Sequence, residues 1–364
     1  MGRGDPAPPG EGIEKQSRMF SRLSITAFAI LALASCVQNI PDPVDPEPMV
    51  FSAVASHSTK GIISTTNYPV DVPFVVQAVY YPMGTELDPQ IYIEPQTVTF
   101  DHEDGNWKTG TDYFWPEYGN LHFIAGSPVT SAITISAEHG VEADWNIASE
   151  RDALTDLCFA EVSENCANHS ATIPLVFIHA LSQVCFKART IQNYSTSHTV
   201  DNTIQSNDII VVLDSVKVRG IVSKGRFTQD PLGWETDESV TSEYVVFRSH
   251  EGLELRCDRF ENPVLNTLNT MLFIPQTLLR KAQVEEWHHI TSRTSVTDAT
   301  TGEIVSDLTY SVPGSSVTPL ADYCTRWFMD YKYTFRLAVG LENTELTAAV
   351  TDWTETKEII LGDE

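Results

Sequence analysis

The side chains that could do chemistry in this chain are few and scattered. His288-His289 beside Glu285-Glu286 is the most metal-like group. Adjacent histidines in a strand point to opposite faces and cannot hold one ion together, so the pair reads as surface. His179, in Phe177-Ile178-His179-Ala180, is the best candidate for a catalytic imidazole. No nucleophile or carboxylate lies near it at a recognisable spacing, so it reads as a hydrogen-bonded structural histidine. Cys158, Cys166, Cys185, Cys257 and Cys324 match neither a zinc motif nor CxxC. Cys158 and Cys166 can bridge in an oxidising compartment, or all five can serve as small buried apolar residues. No GxSxG, HExxH, P-loop or GxGxxG occurs. Among 49 acidic residues no carboxylate pair for glycoside hydrolysis stands out. The expectation is a protein without catalytic residues, metal or cofactor.

One cysteine does carry a chemical signature. Met19–Cys36 has a short basic start at Arg22, an apolar run from Ile25 to Leu33, then small residues and the cysteine. That is the layout of an export signal, too short to span a bilayer about 30 Å thick. Its end, Leu33-Ala34-Ser35-Cys36, resembles the lipobox of bacterial lipoproteins. Cys36 would then be acylated, palmitate included, and become the new N-terminus. Two or more chains anchor stably where one does not. The other reading is an ordinary signal peptide with a cysteine at its cut. Residues 1–18 carry Asp5, Glu11, Glu14 and three prolines, unlike a signal's leading segment, and read as a start assigned too early.

Charge and length set the bounds. A net charge of −26, from 23 basic and 49 acidic residues, argues against nucleic acid and anionic membrane surfaces as partners. The roughly 330 residues after Cys36 exceed one ordinary core and suggest two domains. Residues 37–48 are a proline-rich acidic spacer, extended and semi-rigid.

The elements that follow are mostly strands. Met49–Ala55, Phe74–Tyr81, Ile91–Phe100, Leu121–Ala125 and Ala132–Ser136 are rich in β-branched and aromatic residues. Tyr113–Trp115 forms an aromatic cluster that reads as core. A second series begins with Ile173–Ala188, where a change of register near Ala180 predicts a bulge. It continues through Ile209–Val222, Tyr244–Phe247, Leu253–Cys257, Met271–Ile274, His289–Val296, Ile304–Val312, Tyr333–Leu341, Leu346–Trp353 and Ile359–Leu361. Helical periodicity is confined to Ala148–Leu157 and Gln276–Glu286. Many short strands with frequent turns predict two antiparallel β-sandwiches, 49–170 and 171–364.

An ordered set of landmarks resembles the Bacteroidetes fimbrillin family, the major-pilin and Mfa-like lipoproteins. They are the lipobox with its spacer and first strand, Trp115-Pro116 leading to Leu121–Ala125, and Asp156-Leu157-Cys158-Phe159-Ala160. They continue with Ile173–Phe186, Ile274-Pro275-Gln276, Trp327 with Tyr333–Leu337, and Val350–Trp353. Cys158 departs from the pattern, where an apolar residue is usual. The resemblance implies two transthyretin-like sandwiches in tandem and a subunit of a surface fimbria or pilus that mediates adhesion. It implies export as a lipoprotein to the outer membrane and cell surface. Proteolytic release of the first strand would follow, with assembly by strand exchange into a head-to-tail polymer. On this chain the displaced strand would be Met49–Ala55, with Met49, Val50, Phe51 and Val54 its candidate residues. The cut would fall at Lys60, which reads equally as a solvated turn lysine. Ile359, Ile360 and Leu361 would belong to the C-terminal donor strand. Partners would be other fimbrial subunits, the membrane through the lipid, and host or bacterial surface ligands. A second reading is a surface glycan-binding lipoprotein of a nutrient-uptake system that uses exposed tryptophans. A third is a β-sandwich hydrolase, which the missing motifs disfavour.

Overall fold

The computed structural model describes residues 47–55, 68–83, 88–149, 153–200, 203–258, 260, 270–279, 288–299, 316–340, 344–352 and 359–361. The fold lies in the unit Pro48–Glu364. The export signal, Cys36, most of the spacer, Lys60, Glu285-Glu286 and the Ile304–Val312 strand fall outside the described residues.

The architecture is all-β. In chain order the first strands are β1 (Phe51–Ala55), β2 (Phe74–Tyr81), β3 (Gln90–Asp101), β4 (Asn106–Thr109), β5 (Asn120–Ser127), β6 (Ile133–Ser136), β7 (Gly140–Asn146), β8 (Cys158–Asn165) and β9 (Ile173–His179). Then come β10 (Ser182–Thr190), β11 (Tyr194–Val200), β12 (Thr203–Val222), β13 (Lys224–Thr228), β14 (Gly233–Thr236), β15 (Thr241–Leu255) and β16 (Met271–Phe273). The last are β17 (His289–Asp298), β18 (Ser316–Pro319), β19 (Tyr331–Val339), β20 (Thr344–Asp352) and β21 (Ile359–Leu361). The predicted helices do not form in the described parts of their ranges: Ala153–Leu157 and Gln276–Leu279 contain no α-helix.

Seven strands close on themselves in the order β1-β4-β3-β2-β5-β8-β9. Their interior is a core of Phe51, Phe74, Trp107, Phe123, Leu175 and Phe177, with rings meeting edge to face as aromatic quadrupoles prefer. A second core is shared by the sheet β16-β10-β19-β20-β21, the sheet β11-β12-β17-β18 with β15 on β12, and the sheet β14-β13-β7-β6. It takes Val141, Ala143, Trp145, Leu157 and Phe159 from before residue 170 as well as the later strands. Gly126 permits that contact, because a Cβ there would stand 3.2 Å from methyls of Ile133 and Val141.

Ile173–Ala188 is not one bulged strand. It breaks at Ala180-Leu181 into β9 and β10, which belong to different sheets. Ile173, Leu175 and Phe177 fill the first core, whereas Val184, Phe186 and Ala188 fill the second. The change of face that suggested a bulge is the chain crossing between cores. The reverse holds for Tyr244–Phe247 and Leu253–Cys257. They lie largely on one strand, β15, which continues through Gly252 at φ +74°, a backbone glycine adopts without steric cost.

Among the described strands two pairings are parallel, β1 with β9 and β10 with β19, and the others are antiparallel.

Candidate assembly site and a buried polar cluster

The sequence alternates Met49, Phe51, Ala53 and Ala55 with Val50, Ser52 and Val54, and the first set points inward. Phe51 is 1% exposed, with its ring against Phe74 and Phe123, while Val54 is 37% exposed. On one side β1 makes five parallel register pairs with β9. On the other it pairs with β4 only at Phe51↔Trp107. Three further backbone bonds tie this segment: Met49 N–H donates to Tyr113 O at 2.7 Å, Tyr68 N–H to Ala53 O at 3.3 Å, and Ile173 N–H to Val50 O at 2.9 Å. The barrel is therefore closed by a short strand with an incomplete ladder on one edge. Its hold comes mainly from inward side chains, and burying a phenylalanine is worth about 1.5–3 kcal/mol.

The other end of the chain is placed differently. Ile359, Ile360 and Leu361 form β21, paired antiparallel with Val350, Ala349 and Ala348 at the edge of the second-core sheet. A three-residue edge strand leaves one side of its backbone open for pairing.

A polar cluster lies where the chain crosses from one core to the other. Asp156 and Cys158 share a face at a spacing of two, and Cys158 is opposite His179 in the β8–β9 hairpin. His179 Nδ1 lies 2.6 Å from Asp156 Oδ2 and 3.5 Å from Cys158 Sγ. All three are buried, at 4%, 1% and 0% exposure for Asp156, Cys158 and His179. Ala180 N–H donates to Leu157 O and Trp234 Nε1–H to Ala180 O, which fixes the crossing beside the cluster. Asp330, at φ 62°, donates its N–H to Leu181 O from the other side. Tyr68 and Ser127 hydrogen-bond to each other through their hydroxyls, and Ser127 is the register partner of Cys158.

Carboxylate, imidazole and thiol together resemble the parts of a cysteine nucleophile, but the arrangement is unsuited to that work. A relay places the nucleophile on one ring nitrogen and the orienting group on the other. Here both approach Nδ1. Burial, followed by the Asp156 charge and hydrogen bond, pushes the Cys158 thiol well above its ordinary value, so thiolate is disfavoured. Sequence reasoning found no carboxylate near His179, because Asp156 comes within reach only through the β8–β9 pairing. The two landmarks that contain them were both visible; their juxtaposition was not.

The other predicted groups resolve as follows. Cys158, Cys166, Cys185 and Cys324 are free and buried, and Cys257 is free and half-buried. His288 and His289 are buried and not on the surface, and Leu279 N–H donates to His288 Nδ1 at 2.7 Å. Trp115 stacks on His169 at 4.0 Å between ring centroids and meets Phe123 edge on, so it caps the barrel core. Among the described residues no tryptophan is exposed.

No curated protein matches the chain. Solved structures with similar coverage include a candidate cell adhesion protein of Bacteroides uniformis, at 11% identity and TM-score 0.49, covering 84% of this chain and 98% of that one. A candidate cell adhesion protein of Bacteroides ovatus matches at 13% identity and TM-score 0.47, covering 86% and 100%. The tip fimbrial protein Mfa3 of Porphyromonas gingivalis matches at 8% identity and TM-score 0.37, covering 84% and 100%. The decisive match is a family profile described as fimbrillin-like, which spans residues 76–353 and so most of the barrel and the second core. The chain belongs to the fimbrillin-like family.

Proposed function

We propose that this chain is a non-enzymatic structural subunit of a surface fimbria that mediates adhesion. It is exported as a lipoprotein acylated on Cys36 and assembled by β-strand addition once its first strand is released. The observation that carries this reading is the seam at β1. Withdrawing β1 frees the backbone edge of Ile173–Phe177 on β9 and vacates the slots of Met49, Phe51, Ala53 and Ala55. The rings of Phe74 and Phe123 then each lose one ring partner. An extended segment with apolar residues at alternate positions satisfies both, with main-chain bonds supplying affinity and side chains filling pockets. Head-to-tail filling of this kind does not close, so it yields a filament.

Lys60 follows β1 in sequence and is the proposed processing position for a trypsin-like protease. Ile359, Ile360 and Leu361 are proposed as part of the donor. For that role β21 must leave β20, which costs only three register pairs. Limited trypsin digestion of the mature protein, followed by sizing and electron microscopy, tests the reading. Cleavage near Lys60 with ladders or filaments is expected. A trimmed protein that stays monomeric with Met49–Ala55 still bound would remove the filament-shaft version.

A further inference from the structure

The hydrogen bonds of the buried cluster leave one carboxylate oxygen unserved among the described residues. Two groups, Asp156 Oδ2 at 2.6 Å and Cys158 Sγ at 3.5 Å, converge on the single ring atom His179 Nδ1. One ring nitrogen presents one proton or one lone pair, so it serves one of them, while the Cys158 thiol also hydrogen-bonds Asp156. The other carboxylate oxygen, Asp156 Oδ1, is buried with no hydrogen-bond partner among the described residues. A buried carboxylate oxygen in that condition costs free energy unless a water or ion completes it.

We propose that Asp156, Cys158 and His179 form a binding site for one divalent cation of the zinc class. The donor atoms lie within 4.8 Å of one another. Sulfur, imidazole nitrogen and carboxylate oxygen are the ligand types zinc takes, at about 2.3, 2.0–2.1 and 2.0–2.2 Å. Tetrahedral bonds of those lengths set neighbouring ligands roughly 3.3–3.7 Å apart. The Sγ–Nδ1 separation of 3.5 Å already meets that. The Nδ1–Oδ2 contact of 2.6 Å is that of a shared proton, and it opens by roughly 0.7 Å when a larger cation takes the proton's place.

Charge favours the same ligand. A thiolate, a carboxylate and a neutral imidazole around a doubly positive ion sum to zero, the condition under which ionised groups are tolerated in a dry interior. Binding releases the thiol proton to solvent, and any proton on Nδ1 is released or moves to Nε2. Magnesium and calcium prefer oxygen ligands and do not suit a thiolate. Because all three donors are buried, the ion is loaded as the chain folds. The site would pin the Ala180-Leu181 crossing, and it makes use of the cysteine that departs from the family pattern.

The test uses full-length chain with Cys36→Ser and Cys257→Ser, which removes the thiols outside the buried set. It is refolded with cobalt(II) or zinc(II) and freed of excess metal. Expected are one equivalent of metal and a sulfur-to-cobalt charge-transfer band. Zinc should also raise the thermal unfolding midpoint. Cys158→Ser should abolish the band, and Asp156→Asn should weaken metal binding by at least about tenfold, a loss that even outer-sphere changes can cause. Cobalt held by exposed histidines such as His139 gives no sulfur band. Refolded protein without that band, or with the band retained in Cys158→Ser, overturns the proposal. The parent protein's spectrum decides the matter even if a variant fails to fold.

Discussion

β1 and β19 are the two strands that pair in parallel with the continuous run Ile173–Thr190, one with each half, yet they are held in opposite ways. β19 is central: it makes eight pairs with β10 and nine with β20. β1 has five pairs on β9 and one on β4. Both put phenylalanine into a core, Phe335 at 0% exposure and Phe51 at 1%. Equal side-chain burial with unequal ladders separates two kinds of stability. A strand held on both edges is part of the framework. A strand held mainly by its inward side chains is the one the proposed strand addition would replace.

The sharpest way to break this comparison is to truncate both anchors. Phe335→Ala and Phe51→Ala should each cost about 3–5 kcal/mol in urea unfolding, because each leaves a cavity in a packed core. Only Phe51→Ala should also speed trypsin cleavage near Lys60 under native conditions. Equal protease sensitivity in both variants would erase the distinction. Next in size is amide exchange by mass spectrometry. Amides of β1 should exchange at least about tenfold faster than those of β19, since local opening draws on few contacts. Protection of β1 as strong as that of β19 would show a framework strand. A smaller effect is expected on the outward face of β1, where Val54→Ser should change stability by less than about 0.5 kcal/mol.

The smallest effect lies away from both strands. Glu243, on β15, is held below the usual carboxylate range chiefly by its hydrogen bond from Lys217, with Arg219 also contributing. A depressed value means the stabilisation is present above the ordinary glutamate pKa and disappears as pH falls through the folded one. Partial exposure and screening hold it to a few tenths of a kcal/mol. Unfolding followed against pH for the parent and Glu243→Gln should therefore converge in acid and differ slightly at neutrality.

Much of the β-framework could be read directly from the residues. Phe74–Tyr81 and Ile359–Leu361 match β2 and β21 residue for residue, and the expected Tyr333–Leu341 overlaps β19 as far as Val339. In these segments β-branched, aromatic and other apolar residues are dense, and from Tyr333 to Val339 they also alternate with Thr334, Arg336 and Ala338. The short strands β4, β13 and β14 were missed, because Asn106–Thr109, Lys224–Thr228 and Gly233–Thr236 are largely polar, the last two with a glycine, and gain order from their neighbours. The crossing at Ala180-Leu181 looked like a bulge because both produce a change of face, and only the partners β1 and β19 distinguish them. The polar cluster was hidden for a related reason. His179 stands more than twenty residues from Asp156 and Cys158, and pairing at the end of a hairpin brings them together. His288 and His289 failed differently: as strand neighbours on opposite faces they read as surface rather than a metal pair, whereas both are buried and His288 accepts the backbone N–H of Leu279.

The unbroken passage from β9 to β10 also has a mechanical meaning. β1 lies parallel to β9 over five pairs. A pull along that segment loads those pairs together in shear, where a sideways pull would open them one after another. Past Ala180-Leu181 the tension remains in covalent backbone and enters β10, whose neighbour β19 grips it over eight further pairs. The path from slot to far core is thus a single taut line of polypeptide, and the two loop residues at its midpoint are where such a tether would first yield.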